Sequence, residues 1–362
     1  MKERHTVTAG PAKRFQRSSV VMAQMALVMT GLIASIALPA ILHSQEKKPQ
    51  QTADRGVRVA MHNVKYRFAE NVSVQINELK GAIVPIGSDQ MPVFDDKDSF
   101  KVHIDAAEVA ISPQDVANLL NQFVFSRPGS QLSGISVATN TQHGKHEGHL
   151  KIKGRLKDKG DIPFELEGAL IPTPDGKLRL HADKMKALKI PISGLMEAFG
   201  VEVDNLIKSG KVPGVDAQEN DLIFDLERML PSPQIEGKVT KVRVEPNTIV
   251  YTIASDPSSG RDESADNRKA MPKLRGNYMS FRGNRMEVGK FAMEDCDIVM
   301  MDMDPSDPMD FFLDRYKEQL AAGYLKIATS SQVRAYIKDY GKLAAGKNAA
   351  AAAPVTEPAA KK

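Results

Sequence analysis

From Val57 onward, apolar side chains recur at every second position. Val57, Val59 and Met61 alternate with polar neighbours, as do Val64, Tyr66 and Phe68. Val72, Val74 and Ile76 continue the pattern after the turn Ala69-Glu70-Asn71. A period of two places such side chains on one face of a strand. Runs of this kind joined by short polar turns pair antiparallel. The pattern returns at Phe100, Val102 and Ile104, at Ile135 and Val137, and at Leu150, Ile152 and Leu156. It continues at Phe164, Leu166 and Leu170, at Leu178 and Leu180, at Leu222 and Phe224, and from Ile235 to Ile253. Asp175-Gly176 has hairpin-turn chemistry. A sheet with a single apolar face must cover it with a helix, a second sheet or a ligand.

Helical signals are few. Ser112 is a good N-cap, Pro113 suits the first helical position, and Asp115 favours the positive end of the helix dipole. Val116, Leu119, Leu120 and Phe123 then make one apolar stripe. A short helical piece is expected over Ser193–Phe199. Asp307 and Pro308 predict a second amphipathic helix, with Met309, Phe312, Leu313, Tyr316 and Leu320 on its stripe. Val333, Tyr336, Ile337 and Tyr340 fit a helical period, while Val333, Ala335 and Ile337 also fit a strand.

The fold class read from these patterns is α+β and β-rich. A long antiparallel sheet curved around the Ser112 helix is expected over 57–254. A charged, aperiodic loop follows at 255–270, then a smaller C-terminal α+β block at 271–342. An alanine-rich tail at 343–362 has a disordered composition.

Residues 18–42 carry no charge, with Lys13, Arg14 and Arg17 before them and Glu46, Lys47 and Lys48 after. This run is long enough to span a bilayer as a signal-anchor, and it can also be read as a signal peptide cleaved near Ser35-Ile36-Ala37. In both readings the basic leader 1–17 stays cytoplasmic, and the body, joined by the linker 43–56, is exported. The expected location is the inner membrane, single-pass, with the body on the periplasmic side.

Composition narrows the function. A hydrophobic share of 42% and a charged share of 26% over 362 residues exclude a wholly disordered chain. The lone Cys296 excludes an intrachain disulfide and a cysteine-rich zinc site. Residues 1–56 hold eight basic and three acidic side chains, so the alkaline balance lies in the leader and not in the body. No tryptophan is present and no aromatic residues interleave the basic strands, so nucleic acid is not an expected partner. The P-loop, the dinucleotide glycine pattern, the nucleophile elbow and HExxH are all missing, and the chain reads as a non-enzyme with no cofactor.

Three local constellations admit two readings. His143, His146 and His149 fit either a zinc- or copper-binding triad or a polar hairpin tip. The acidic run Asp302, Asp304 and Asp307 lacks EF-hand spacing and reads as a solvated face, with calcium or partner docking as the rival. Lys151, Lys153, Arg155 and Lys157 share one strand face, either wet or touching anionic headgroups.

The run HLKIKGRLKDKGDIPFELEGAL (His149–Leu170) resembles the strand-turn-strand units of bacterial LmeA-like phospholipid-binding proteins and, more distantly, tubular lipid-binding (TULIP) domains. MLPSPQIEGKVTKVRVEPNTIVYTI (Met229–Ile253) is similar to their closing unit. The resemblance covers about Val57–Ile253 and implies a groove for acyl chains in the cell envelope. FFLDRYKEQLAAGY (Phe311–Tyr324) departs from that family. The expected groove lining is Leu119, Leu120 and Phe123 on the helix, Ile135, Val137, Leu150 and Ile152 on strands, and Phe199. The expected function is binding or carriage of a lipid or other apolar molecule. The alternative is a structural or assembly protein of the envelope, its sheet faces closed on each other.

Overall fold

The computed structural model describes residues 56–87, 91–127, 130–141, 148–157, 161–187, 212–254, 274–329 and 332–343. The charge-free run 18–42, the piece Ser193–Phe199, the loop 255–270 and the alanine-rich tail beyond Leu343 lie outside them. No helix among the described residues is long and apolar enough to cross a membrane.

Three long strands come first: β1 (Val57–Ala69), β2 (Val72–Pro85) and β3 (Phe100–Ile111). Helix α1 (Pro113–Leu119) and a π-helical turn (Leu120–Val124) lead into β4 (Leu132–Asn140), β5 (His149–Leu156), β6 (Ile162–Pro172) and β7 (Leu178–Ala187). Two short strands follow, β8 (Val215–Gln218) and β9 (Asp221–Phe224), then α2 (Leu226–Met229) and β10 (Gln234–Glu236). A hairpin of β11 (Lys238–Glu245) and β12 (Thr248–Ala254) comes next, then β13 (Tyr278–Gly283). A small hairpin joins β14 (Met286–Val288) to β15 (Phe291–Met293). The chain continues through β16 (Cys296–Asp302), β17 (Met309–Phe312), α3 (Tyr316–Ala321), β18 (Tyr324–Thr329) and β19 (Gln332–Ile337).

The larger sheet runs β11-β12-β3-β2-β1-β13-β16-β19-β18, with β10 added beside β3 and β17 beside β1. The second sheet runs β4-β5-β6-β7-β9-β8. The larger sheet is mixed, not purely antiparallel as expected: β17 lies parallel to β1, β10 to β3, and β19 to β16. Within 271–342, β14 and β15 pair only with each other, while the other strands join the larger sheet. Through β13 and β17 they extend the sheet begun by β1. One contiguous apolar core takes residues from both sheets.

The three long strands bend together. On β1 the core-facing residues are Val57, Val59 and Met61, then Val64 and Tyr66, so the phase slips by one between Met61 and Val64. Asn63 sits at the slip with φ +49, a left-handed backbone that asparagine tolerates better than most residues. Its amide donates to Asn277 Oδ1 at 2.8 Å and accepts from Gln75 Nε2 at 3.0 Å. The partner of β1 changes at the same point, from β13 up to His62 to β17 from Val64. The β2–β3 ladder slips twice, between Ile76 and Glu78 and between Lys80 and Gly81. Bulges of this kind bend a strand and sharpen its twist. At Gly81 the strands pass so closely that a Cβ would lie 2.2 Å from the His103 carbonyl oxygen.

Helix α1 starts as its sequence predicts. Ser112 is the N-cap, with its hydroxyl accepting from the Asp115 N–H at 3.0 Å. The Asp115 carboxylate then accepts from the Ser73 N–H at 2.8 Å, tying the helix start to β2. The π turn changes the stripe that follows. The Phe125 N–H bonds to the Leu120 carbonyl at 2.7 Å, an i→i+5 closure that advances the buried face by a residue. Val124 and Phe125 are buried where Phe123 was expected, and Phe123 stays half-buried. Asn121 fixes this geometry: its side-chain amide donates to the Ile135 carbonyl at 2.7 Å and accepts from the Ile135 N–H at 2.9 Å.

The expected helix from Asp307 is a strand at its start. Met309, Asp310, Phe311 and Phe312 are all buried and form β17, and helical structure begins only at Leu313. A short run buried on both faces reads the same for a buried strand and a buried helix. Asp307 is no helix cap; its carboxylate pairs with Lys342 at 2.9 Å. The ambiguous segment from Val333 is the strand β19.

A polar cluster holds β17 to β1. Arg67 grips the Asp310 carboxylate with two hydrogen bonds, Nε at 2.5 Å and Nη2 at 2.7 Å. The Asp310 N–H donates to Asp339 at 2.8 Å. Gln319, fully buried, accepts from the Phe312 N–H at 2.9 Å and donates to the Asp310 and Lys338 carbonyls.

Candidate ligand cavity

The bends in β1, β2 and β3 leave space on their apolar side. A cavity of about 90 Å³ lies between this face and the segment carrying α2 and β10. A single water needs roughly 10–15 Å³ on this measure, so the space is several waters large. Lining residues fall on both sides of each phase slip: Val59 and Tyr66 on β1, Ile76 and Leu79 on β2, Ile104 and Val109 on β3. Tyr251 and Ile253 on β12 and Met279 and Phe281 on β13 extend the wall. Leu226, Leu230, Pro233, Ile235 and Gly237 cover it.

The enclosed side is aromatic. Phe94 packs edge-on against Phe281 and Tyr316, with ring centroids 5.4 and 5.1 Å away. Glu227 is the one charged residue in the described lining; it is exposed and marks the solvent side. Its carboxylate accepts from the Gly237 N–H at 3.3 Å. A void walled by hydrocarbon stays dry and binds apolar matter.

Two phenols stand apart from this hydrocarbon. Burial pushes the ionisation of Tyr251 well above the usual tyrosine range; at Tyr66 burial does so with help from the Asp314 carboxylate. An unfolded tyrosine releases its proton near pH 10. The folded state therefore holds two protons that the unfolded chain gives up first. Their contribution to stability is complete below pH 10 and is lost as pH climbs toward the folded values, by about 1.4 kcal/mol per pH unit for each group. Urea titrations from pH 9 to 11 should show stability falling, and a Tyr66→Phe/Tyr251→Phe variant should remove about 3 kcal/mol of that fall over the whole interval. An unchanged slope in that variant contradicts the account.

Seven of the eight expected lining residues are described, and none of the seven borders this cavity. Leu120, Ile135 and Ile152 border a second void of about 20 Å³ between the π turn and the second sheet, little more than one water in size. Leu119 and Leu150 are packed core. Phe123 and Val137 are half-buried. Phe199 lies outside the described residues. Helix α1 closes the second sheet, and the larger void falls under the first.

Where they are described, residues of the other constellations have partners within the chain. His143 and His146 lie outside the described residues, and His149 Nε2 is 2.8 Å from Asp183. Lys151 and Lys153 pair with Glu165 at 2.7 and 3.4 Å, and Arg155 with Asp161 at 2.5 Å, as on a solvated outer face. The carboxylates of Asp302, Asp307 and Asp339 gather closely enough for a cation. The Lys342 ammonium already lies 2.9 Å from Asp307, 2.8 Å from Asp339 and 2.7 Å from Asp304. Those carboxylates push the lysine's ionisation up, and the ammonium, with the Ser306 hydroxyl and N–H, holds Asp304 down at about 2. Cys296 is buried, and its thiol is pushed up to about 12.

Compared with known proteins, the chain matches no family model, no curated protein and no solved structure.

Proposed function

We propose that this chain binds or carries a lipid or other apolar molecule, held in the cavity beneath the bent strands of the larger sheet. The observation that carries the reading is the lining: a void of about 90 Å³ whose described walls are hydrocarbon, two phenols and one exposed carboxylate. Burial of apolar surface gives roughly 25 cal/mol per Å², which is the driving force for an alkyl chain to enter. The reading assigns no covalent chemistry. The charge-free run 18–42 with its basic flank supports an exported body tethered to the inner membrane. The resemblance of 57–253 to lipid-binding envelope proteins agrees with that placement.

Photolabelling tests the site. The full chain is incubated with hexadecane bearing a diazirine, irradiated, and its adducts mapped by tandem mass spectrometry. Adducts are expected on Val102, Ile104 and Ile235, and Val109→Phe should remove at least four-fifths of them by filling the void. Adducts spread over the surface, unaffected by Val109→Phe, would overturn the reading.

A second reading, a structural or assembly protein of the envelope, is favoured by the edge strand β18. Leu325 and Ile327 on it are 50% and 66% exposed. An apolar sheet edge is a template for another chain.

A further inference from the structure

We propose that the edge strand β18 is an interaction surface separate from the cavity, docking on the headgroup layer of an anionic bilayer; this rests on the membrane-tethered placement above and says which part of the body meets the membrane. Three of the six large apolar side chains that stand exposed among the described residues fall within Tyr324–Ile327: Tyr324, Leu325 and Ile327, at 46, 50 and 66% exposure. Scattered surface hydrophobics are ordinary, and a cluster is not. Leu325 lies opposite Ala335 and Ile327 opposite Val333, so both continue the sheet's core-facing side past the point where it is covered. Tyr324 is on the other face, its ring stacked on Tyr336 with centroids 4.4 Å apart. The Lys326 ammonium stands 5.7 and 5.0 Å from the centroids of those two rings and has no carboxylate partner among the described residues.

The composition of the strand selects its occupant. The run 324–337 holds Lys326 and Arg334 and no acidic residue. Arg334 shares the Asp297 carboxylate with Arg282, so one negative charge there answers two guanidinium groups. A cationic strand with aromatic and aliphatic side chains fits phosphate headgroups above acyl chains, where tyrosine and lysine sit well. The free backbone edge keeps β18 at headgroup depth, because unpaired N–H and C=O groups are costly inside hydrocarbon. Two copies of β18 paired edge to edge would bring Lys326 near its own counterpart with no acid between them. Topology carries the surface to the bilayer. Val57 pairs with Gly283, Gly283 with Cys296, Asp297 with Gln332 and Gln332 with Thr329, so β1 begins at the sheet end where β18 finishes, four strand spacings or about 19 Å away. The linker 43–56 spans at most about 50 Å when extended, so the tether allows that approach.

The chain has no tryptophan, so one placed on β18 reports alone. Full-length Ile327→Trp is reconstituted in vesicles of phosphatidylcholine, with or without one-quarter phosphatidylglycerol, whose acyl chains carry bromine as a quencher. Emission should be quenched in the anionic vesicles and spared in the neutral ones. Lys241→Trp, at an exposed position on the opposite edge strand β11, should be spared in both. Near a charged surface one unit of charge is worth about fivefold in the ratio of docked to free protein, so adding Lys326→Glu should lower that ratio about thirtyfold. Salt near 1 M, with a screening length of about 3 Å, should release the strand as well. Equal quenching of the two tryptophans, or quenching indifferent to phosphatidylglycerol and to Lys326→Glu, overturns the inference. So does an emission shift without vesicles that grows with protein concentration, which would show a second copy covering β18. Resistance to an alkaline carbonate wash reads the tether separately. Chain that resists the wash with Ile327→Trp unquenched overturns the docking and leaves the tether standing; quenching of chain that the wash removes does the reverse. If the tryptophan is unquenched and the wash removes the chain, both fall together.

Discussion

Replacing Arg67 by Met should destabilise the protein by about 3–5 kcal/mol, the range for breaking a buried ion pair from one side. The guanidinium is the counter-charge of Asp310, a carboxylate only 8% exposed. Removing it strands a negative charge in the seam between β1 and β17. The damage should spread, because the Gly341 N–H also binds Asp310 Oδ2, at 3.1 Å, and the Asp310 N–H holds Asp339. Arg67→Met/Asp310→Leu should recover most of the loss, since a paired deletion leaves no orphaned charge. Urea denaturation of the three variants measures this. A single-variant loss below about 1 kcal/mol would mean that water reaches Asp310 and does the work assigned to Arg67.

Gly81→Ala is expected to cost about 3 kcal/mol, at the upper end for overpacking, although it adds only one methyl group. The new Cβ would meet a backbone oxygen, His103 O at 2.2 Å, which no rotamer change can clear. The strands must part, and the bulge beside Gly81 is one of the bends that make the cavity. The variant should therefore lose labelling by the hexadecane probe as well as stability. Stability within 0.5 kcal/mol of the parent would show the ladder to be slack at this point.

Much of this architecture is legible in the chain before any coordinates. Alternation identifies β1, β2, β3 and the β4–β7 meander, and Ser112-Pro113 marks the start of α1. The phase slip between Met61 and Val64 is also written there: two clean period-two runs out of register by one residue, with an asparagine between them. It is the local signal for the bend, and so for the cavity. What the sequence hides are features set by distant partners. Met309–Phe312 is apolar enough for either a strand or a helix, and only the docking against Val64–Arg67 decides. The π turn after Leu119 rests on Asn121 reaching Ile135, fourteen residues on, and no local periodicity encodes that. The lining of the larger cavity is hidden for the same reason. The amphipathic stripe points to the helix as filler of the main groove, while the segment over the cavity, Leu226–Gly237, carries no strong pattern.

The placement of β1 sets the order in which the molecule can be completed. It finds β2 almost at once, but its other neighbours are more than two hundred residues downstream, at Tyr278–Gly283 and Met309–Phe312. Until Gly283, and for its second half Phe312, has been synthesised, one flank of this central ribbon has nothing to zip against, and its backbone amides stay available to any stray strand. Closure over so long an interval is slow and leaves an adhesive intermediate.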